Sequence, residues 1–171
     1  MNRPTAQLTL AAVVVVFLAS TAYGVKLVTA PVATTAAGPT CEARTVKAGE
    51  NVTPNLVKVN VFNASQRSGL ANRVNINLQR RGFLGGKIGN DTGGIATKTV
   101  TIITSDRADP QVKLLAAQFK DKARYAAPKD TLGSGVTIIV GDGYSGLASK
   151  ASRSVKSDRT LQFCLPIVPV G

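Results

Sequence analysis

From Leu56 the chain alternates apolar and polar residues. "LVKVNVF" puts Val57, Val59 and Val61 on one side and Lys58 and Asn60 on the other, a period of two that predicts a strand with one buried face. Phe62 breaks the alternation at the strand end. A polar stretch, "NASQRS", follows. Then Leu70, Ala71, Val74 and Leu78 recur at helical spacing, while Arg73, Asn77, Arg80 and Arg81 face elsewhere. This predicts a helix over 69–81, capped by Ser68 and stopped by Gly82. "FLGGKIG" reads as a glycine-weakened strand, Asn90 to Gly94 as a hairpin turn, and "TKTVTIITS" as a further strand. Asp106 or Asp109, with Pro110 in the first turn, starts a second helix that runs to about Lys120. "ARYAAP" is a short strand or a loop, and "GVTIIVG" is the last strong strand. The order is β-α-β-β-α-β, with room for a minor strand before the last. The expected fold class is α/β (α+β): a two-layer sandwich with both helices on one face of the sheet.

The ends of the chain follow other patterns. Ala6 to Val25 is free of charge and about long enough to cross a bilayer core as a helix. Arg3 precedes it and Lys26 follows, which places the N-terminus in the cytoplasm. A cleaved export signal ending near Ala22-Tyr23-Gly24 is the other reading. Both put the remainder outside the cytoplasm, and the expected localisation is a single-pass cell-membrane protein with its C-terminal domain extracytoplasmic. "VTAPVATTAAGPT" is an uncharged spacer. The division is therefore 1–27, cytoplasmic tip and transmembrane anchor; 28–55, linker and lead-in; 56–146, folded domain; 147–171, basic tail and C-terminal strap.

An exported chain with two cysteines, Cys41 and Cys164, suggests one disulfide tying its ends together, against the alternative of two buried free thiols. The 171 residues hold 21 Lys and Arg against nine Asp and Glu, a net charge of +12. Outside the cytoplasm such a surface attracts anionic headgroups or phosphorylated glycans, although the cations are spread along the chain and also suit a simple solubility role. Nucleic acid is not an expected partner in that compartment.

Histidine is absent, which removes the commonest general base and metal ligand, and two cysteines alone cannot hold zinc. "GDGYSG" after the last strand has the spacing of a dinucleotide loop but lacks the following helix and the acidic residue farther on, so it reads as a strand exit and turn. Asp91-Thr92-Gly93 is a single copy of an aspartic-protease-like triplet in a turn. Ser145 and Lys150 have the wrong spacing for a serine–lysine pair. The remaining acids sit where caps and turns need them. The expectation is no enzyme activity, no catalytic residue, no metal and no cofactor. One stretch keeps a ligand reading: Asn63, Ser65, Arg67, Ser68 and Arg73, in a small-residue loop between strand and helix, could meet an anion or a glycan at the helix start. The alternative is a capped crossover with a purely structural task.

The pieces "VKVNVFNASQRSGLANRVNINLQRRGF", "TVTIITS…ADPQVKLLAAQF" and "VTIIVGDGY" together resemble the LytR C-terminal domain family over about residues 56–145. The whole layout, an anchor, one such domain, two cysteines and a basic tail, is similar to an actinobacterial, mycobacterial-type envelope-integrity protein. In other members this domain follows a catalytic domain that attaches glycopolymers to peptidoglycan. The chain before residue 56 is too short to hold that domain, so the resemblance implies an accessory role without transferase activity. The expected function is support of cell-envelope integrity, by binding a wall or lipid component or envelope-assembly partner proteins. The alternatives are an enzyme acting on envelope glycopolymer and a lipid-binding carrier.

Overall fold

The computed structural model describes residues 14–21, 23–25, 41–128 and 134–167. It divides into two units, 1–39 and 40–171. In the first, the described residues are helical. Val14 to Leu18 are exposed, and the Ser20 and Thr21 hydroxyls donate to the carbonyls of Val16 and Phe17, both at 2.8 Å. Among the described residues no helix is long and apolar enough to cross a membrane. Residues 6–13 and 22 of the expected span lie outside the described set.

The second unit has mixed α+β character. Its strands are β1 (Cys41–Val46), β2 (Asn51–Val52), β3 (Lys58–Asn63), β4 (Leu84–Asn90), β5 (Val100–Ile103), β6 (Arg124–Ala126), β7 (Val136–Val140), β8 (Val155–Lys156) and β9 (Leu161–Pro166). The helices are α1 (Leu70–Gln79) and α2 (Pro110–Ala116). Five strands form the central sheet in the order β4-β3-β7-β5-β6. β3 runs parallel to β4 and β7, while β5 is antiparallel to β7 and parallel to β6. The segment "ARYAAP" thus supplies an edge strand.

Two features depart from the pattern-based expectation. First, β4 and β5 do not pair, so the Asp91 to Thr99 segment is not a hairpin but crosses the ends of β3 and β7. Secondly, two small antiparallel sheets, β1-β9 and β2-β8, stand beside the five-stranded one. They bring Val46, Val52 and Phe163 into the same apolar core as Val59, Val61, Leu70, Val74, Ile102, Leu115 and Ile138. Helix α1 packs on β3 and β4, whereas α2 lies against β2 and β8. Cys41 and Cys164 form the expected disulfide, with 5.2 Å between their Cα atoms, diagonally across the β1-β9 ladder.

The central strands are buried on both faces, so Asn60, expected on the open face, is 1% exposed. Its amide donates to the Ser134 carbonyl and the Thr137 hydroxyl, each at 3.2 Å, and its oxygen accepts from the Lys87 N–H at 2.8 Å. That last bond fills the gap where the β3-β4 register shifts between Val59 and Val61. A side-chain carbonyl thus replaces a missing ladder acceptor. Gly86 is required opposite it, because a Cβ there would run into the Asn60 oxygen. Asn60→Leu leaves the Lys87 N–H unpaired and should lower unfolding free energy by about 2–3 kcal/mol. A shift in urea midpoint at constant slope checks this.

Candidate functional site

The chain after β3 reverses direction through a tightly bonded loop. Asn63 turns back on its own backbone: its oxygen accepts from the Ser65 N–H at 3.0 Å and the Ser65 hydroxyl at 2.7 Å, and its amide donates to the Arg67 carbonyl at 3.0 Å. The Ser65 hydroxyl in turn accepts from the Arg67 N–H at 3.1 Å. This is an Asx-type turn extended by a serine. It ends at Gly69, whose φ of 70° lies in the left-handed region that suits glycine. Gly69, not Ser68, is the residue before α1, and no side chain caps the helix. The cap expected from Ser68 is therefore not made. The capping hydrogen bond comes from the N-cap residue's own side chain, and here that position is held by glycine, which has none.

The "GDGY" segment clamps this loop. The Asp142 carboxylate accepts from the Gln66 N–H at 2.9 Å, and Arg67 donates through Nη1 to the Tyr144 carbonyl at 3.2 Å. Burial pushes the Tyr144 phenol above its ordinary pKa, partly opposed by the nearby Arg81 and Arg67 cations, so it stays neutral across the physiological range. On the other side, Gly141 and Gly143 donate to the carbonyls of Thr99 and Lys98 at 2.9 and 2.8 Å. The motif that mimics a dinucleotide loop thus fastens two loops to the end of β7.

Between those loops, at the carboxyl ends of the parallel strands β3, β4 and β7, lies an open cleft of about 980 Å³. Ligands of open α/β sheets favour this end, where loops diverge and helix amides converge. Asn63, Ser65 and Ser68 line the cleft. Arg67 is turned to Tyr144, and Arg73, exposed on α1, is not among the lining residues. The opposite wall is Asp91, Thr97 and Lys98, with Arg124 from β6. Both Asp91 oxygens accept backbone N–H groups, from Gly93 and Ile95, each at 3.1 Å. The cleft therefore offers amide and hydroxyl groups with two cations, and its one carboxylate is turned onto its own loop. Lys98 and Arg124 escape sequence reasoning because they come from segments that become neighbours only through the strand order.

The carboxylates explain why cations remain open across the unit. Glu50, Asp91, Asp106, Asp109 and Asp142 accept backbone N–H groups, and Asp121 accepts the Ser145 hydroxyl. Among the described residues, ion pairs form only at Arg159, with Asp106 at 2.8 Å and Asp158 at 2.9 Å. The acids serve turns and caps, so most positive charge faces solvent unneutralised. No group of three or more Cys, Asp or Glu that could hold a metal occurs among the described residues.

Comparison with known proteins follows the same segment. The family described as LytR cell envelope-related transcriptional attenuator matches residues 56–144, from the residue before β3's apolar run to the "GDGY" clamp. Among solved structures, the soluble domain (residues 71–217) of a conserved hypothetical secreted protein, an Rv2700 ortholog from Mycobacterium marinum, is 24% identical. The match covers 61% of this chain and 79% of that one, with a TM-score of 0.45. No curated protein matches the sequence.

Proposed function

Because the chain belongs to the LytR cell envelope-related transcriptional attenuator family, we propose that its 41–167 unit is a non-catalytic, extracytoplasmic binding domain of the cell envelope. Its cleft at the ends of β3, β4 and β7 takes a segment of anionic envelope glycopolymer. The observation that carries this is the lining. Ser68 presents a hydroxyl, and Asn63 and Ser65, bonded within their loop, each keep one site, an amide N–H and an oxygen lone pair, for sugar hydroxyls. Lys98 and Arg124 supply charge for phosphate or carboxylate groups along the polymer, and no carboxylate pairs with either among the described residues. Envelope-assembly partner proteins are the second class of binder that the basic surface suits.

The anchor reading rests on the first unit. Apolar side chains from Val14 to Leu18 stand exposed on a helix whose Ser20 and Thr21 hydroxyls are satisfied by its own carbonyls, as hydrocarbon requires. The charge-free run of residues 6–25 anchors the chain in the membrane.

Co-sedimentation of the detergent-solubilised chain with isolated cell-wall sacculi tests the cleft. The wild type should be retained and released by salt, as contacts between exposed charges are. Lys98→Glu combined with Arg124→Glu should weaken retention roughly tenfold or more, at unchanged melting temperature. Equal retention of wild type and variant would remove the cleft from the function.

A further inference from the structure

A second cleft lies at the other end of the sheet. Helix α1 runs antiparallel to β3, so its last turn sits beside the residues that lead into β3, away from the Asn63 loop. There a cavity of about 610 Å³ opens between the Thr53–Asn55 turn, the end of α1 and the Ser149–Arg153 segment. Arg80, Arg81 and Arg153 line it, together with Thr53, Asn55 and Ser149, and no carboxylate does.

Arg81 is built into place. Its Nη1 donates to the Gln118 carbonyl at 3.4 Å and the Gln118 side-chain oxygen at 3.1 Å, and its Nη2 donates to the Ala148 carbonyl at 2.6 Å. Gln118 is 2% exposed, and its amide donates to the carbonyls of Leu114 at 3.1 Å and Ser152 at 2.9 Å. One buried amide thus fixes both the guanidinium and the serine-rich segment that walls the cavity. Every acceptor on Arg81 is neutral. A guanidinium oriented by carbonyls keeps its full charge and its remaining N–H donors, whereas one paired with a carboxylate spends both. Arg80 and Arg153 are exposed on either side, and neither has an ion-pair partner among the described residues.

We propose that this cleft is a phosphate-binding site, separate from the glycan cleft and independent of its reading. Arg81 supplies a pre-oriented fork for the phosphate oxygens, and Arg80 and Arg153 close on them from the rim. The serine, threonine and asparagine groups complete the donor set. The ligand is a phosphate group borne either by a soluble molecule or by a lipid headgroup.

Calorimetric titration of the full chain in neutral detergent separates the sources. One arm uses inorganic phosphate, and the other uses phosphatidylglycerol dispersed in the same detergent. Arg80→Gln with Arg153→Gln should weaken binding roughly tenfold or more, with melting temperature unchanged, because both side chains are exposed. Binding of inorganic phosphate that is weakened in this variant supports the site with a soluble phosphate as sufficient ligand. Binding of phosphatidylglycerol alone, weakened in the same variant, supports it with a lipid headgroup. Binding in neither arm, or equal binding by wild type and variant, overturns it. Lys122→Gln, at an exposed cation that lines neither cleft, serves as control and should leave both arms unchanged.

Discussion

Replacing both Cys41 and Cys164 with serine is expected to lower the unfolding free energy of the 41–167 unit by about 4–5 kcal/mol. The bond closes a loop with a sequence separation of 123, and the chain-entropy estimate for a loop of that length is about 5 kcal/mol. The neighbouring structure cannot make up the loss. β1 and β9 form an isolated two-stranded ladder, in which Val46 and Phe163 are the buried residues. Such ladders are marginal in water without further support. Losing the cross-link also frees Val46 and Phe163 to leave the core. The melting temperature should fall by roughly 15 °C for a domain of this size, and reductant should produce a similar drop in the wild type. Scanning calorimetry with and without reductant measures both, and a drop below about 3 °C would show that the ladder stands without its bond.

Gly141→Ala should be nearly as damaging, for a different reason. Gly141 is buried where β7 ends, and a Cβ there would drive into the Thr97 carbonyl oxygen and come within 2.7 Å of the Lys98 carbonyl oxygen. Both obstacles are backbone, held by bonds from Gly141 to Thr99 and from Gly143 to Lys98, so no side chain can swing aside. Either β7 bends or the crossing loop lifts. The expected cost is about 3 kcal/mol in urea unfolding, at the upper end of overpacking effects. If the loop is what yields, Thr97 and Lys98 leave the cleft, and retention on cell-wall sacculi falls with stability. Gly143→Ala is the comparison, since its Cβ would meet the Lys98 carbonyl oxygen at 3.0 Å and a flexible threonine methyl at 3.4 Å. It should cost about 1 kcal/mol. Equal effects at the two positions would contradict the role given to the carbonyl contacts.

The two glycines show how a motif can be read correctly in kind and incompletely in purpose. "GDGYSG" is a strand exit and turn, as its missing helix indicated. Its task is to pin the Asp91–Thr99 crossing to one side and, through Asp142 and Tyr144, the Asn63 loop to the other. No local pattern announces this, because the partners lie some 40 and 75 residues upstream. The same holds for Asn60, which alternation put on an open face. Alternation reports that the two faces differ, and here the difference is between an apolar core and a buried polar network with Ser134, Thr137 and Lys87.

What the amino-acid sequence determines by itself is what short-range physics can encode. Side-chain periods of two and near four mark β3, α1, β5 and α2, and an apolar run between two glycines marks β7. Asp106 or Asp109, with Pro110 in the first turn, marks the start of α2, and the structure selects Asp109, whose carboxylate accepts the Gln111 N–H at 2.7 Å. Two cysteines permit a single pairing, and three ordered segments carry the family likeness. Tertiary structure alone decides which residues meet. Strand order β4-β3-β7-β5-β6 sends the loop after β4 across two strands, setting Lys98 and Arg124 opposite Asn63, Ser65 and Ser68. It folds the basic C-terminal segment back, so that Gln118 and Ala148 hold Arg81. Backbone conformation is chosen within about ten residues, whereas a cleft needs side chains from distant segments, and only the packed sheet brings those together.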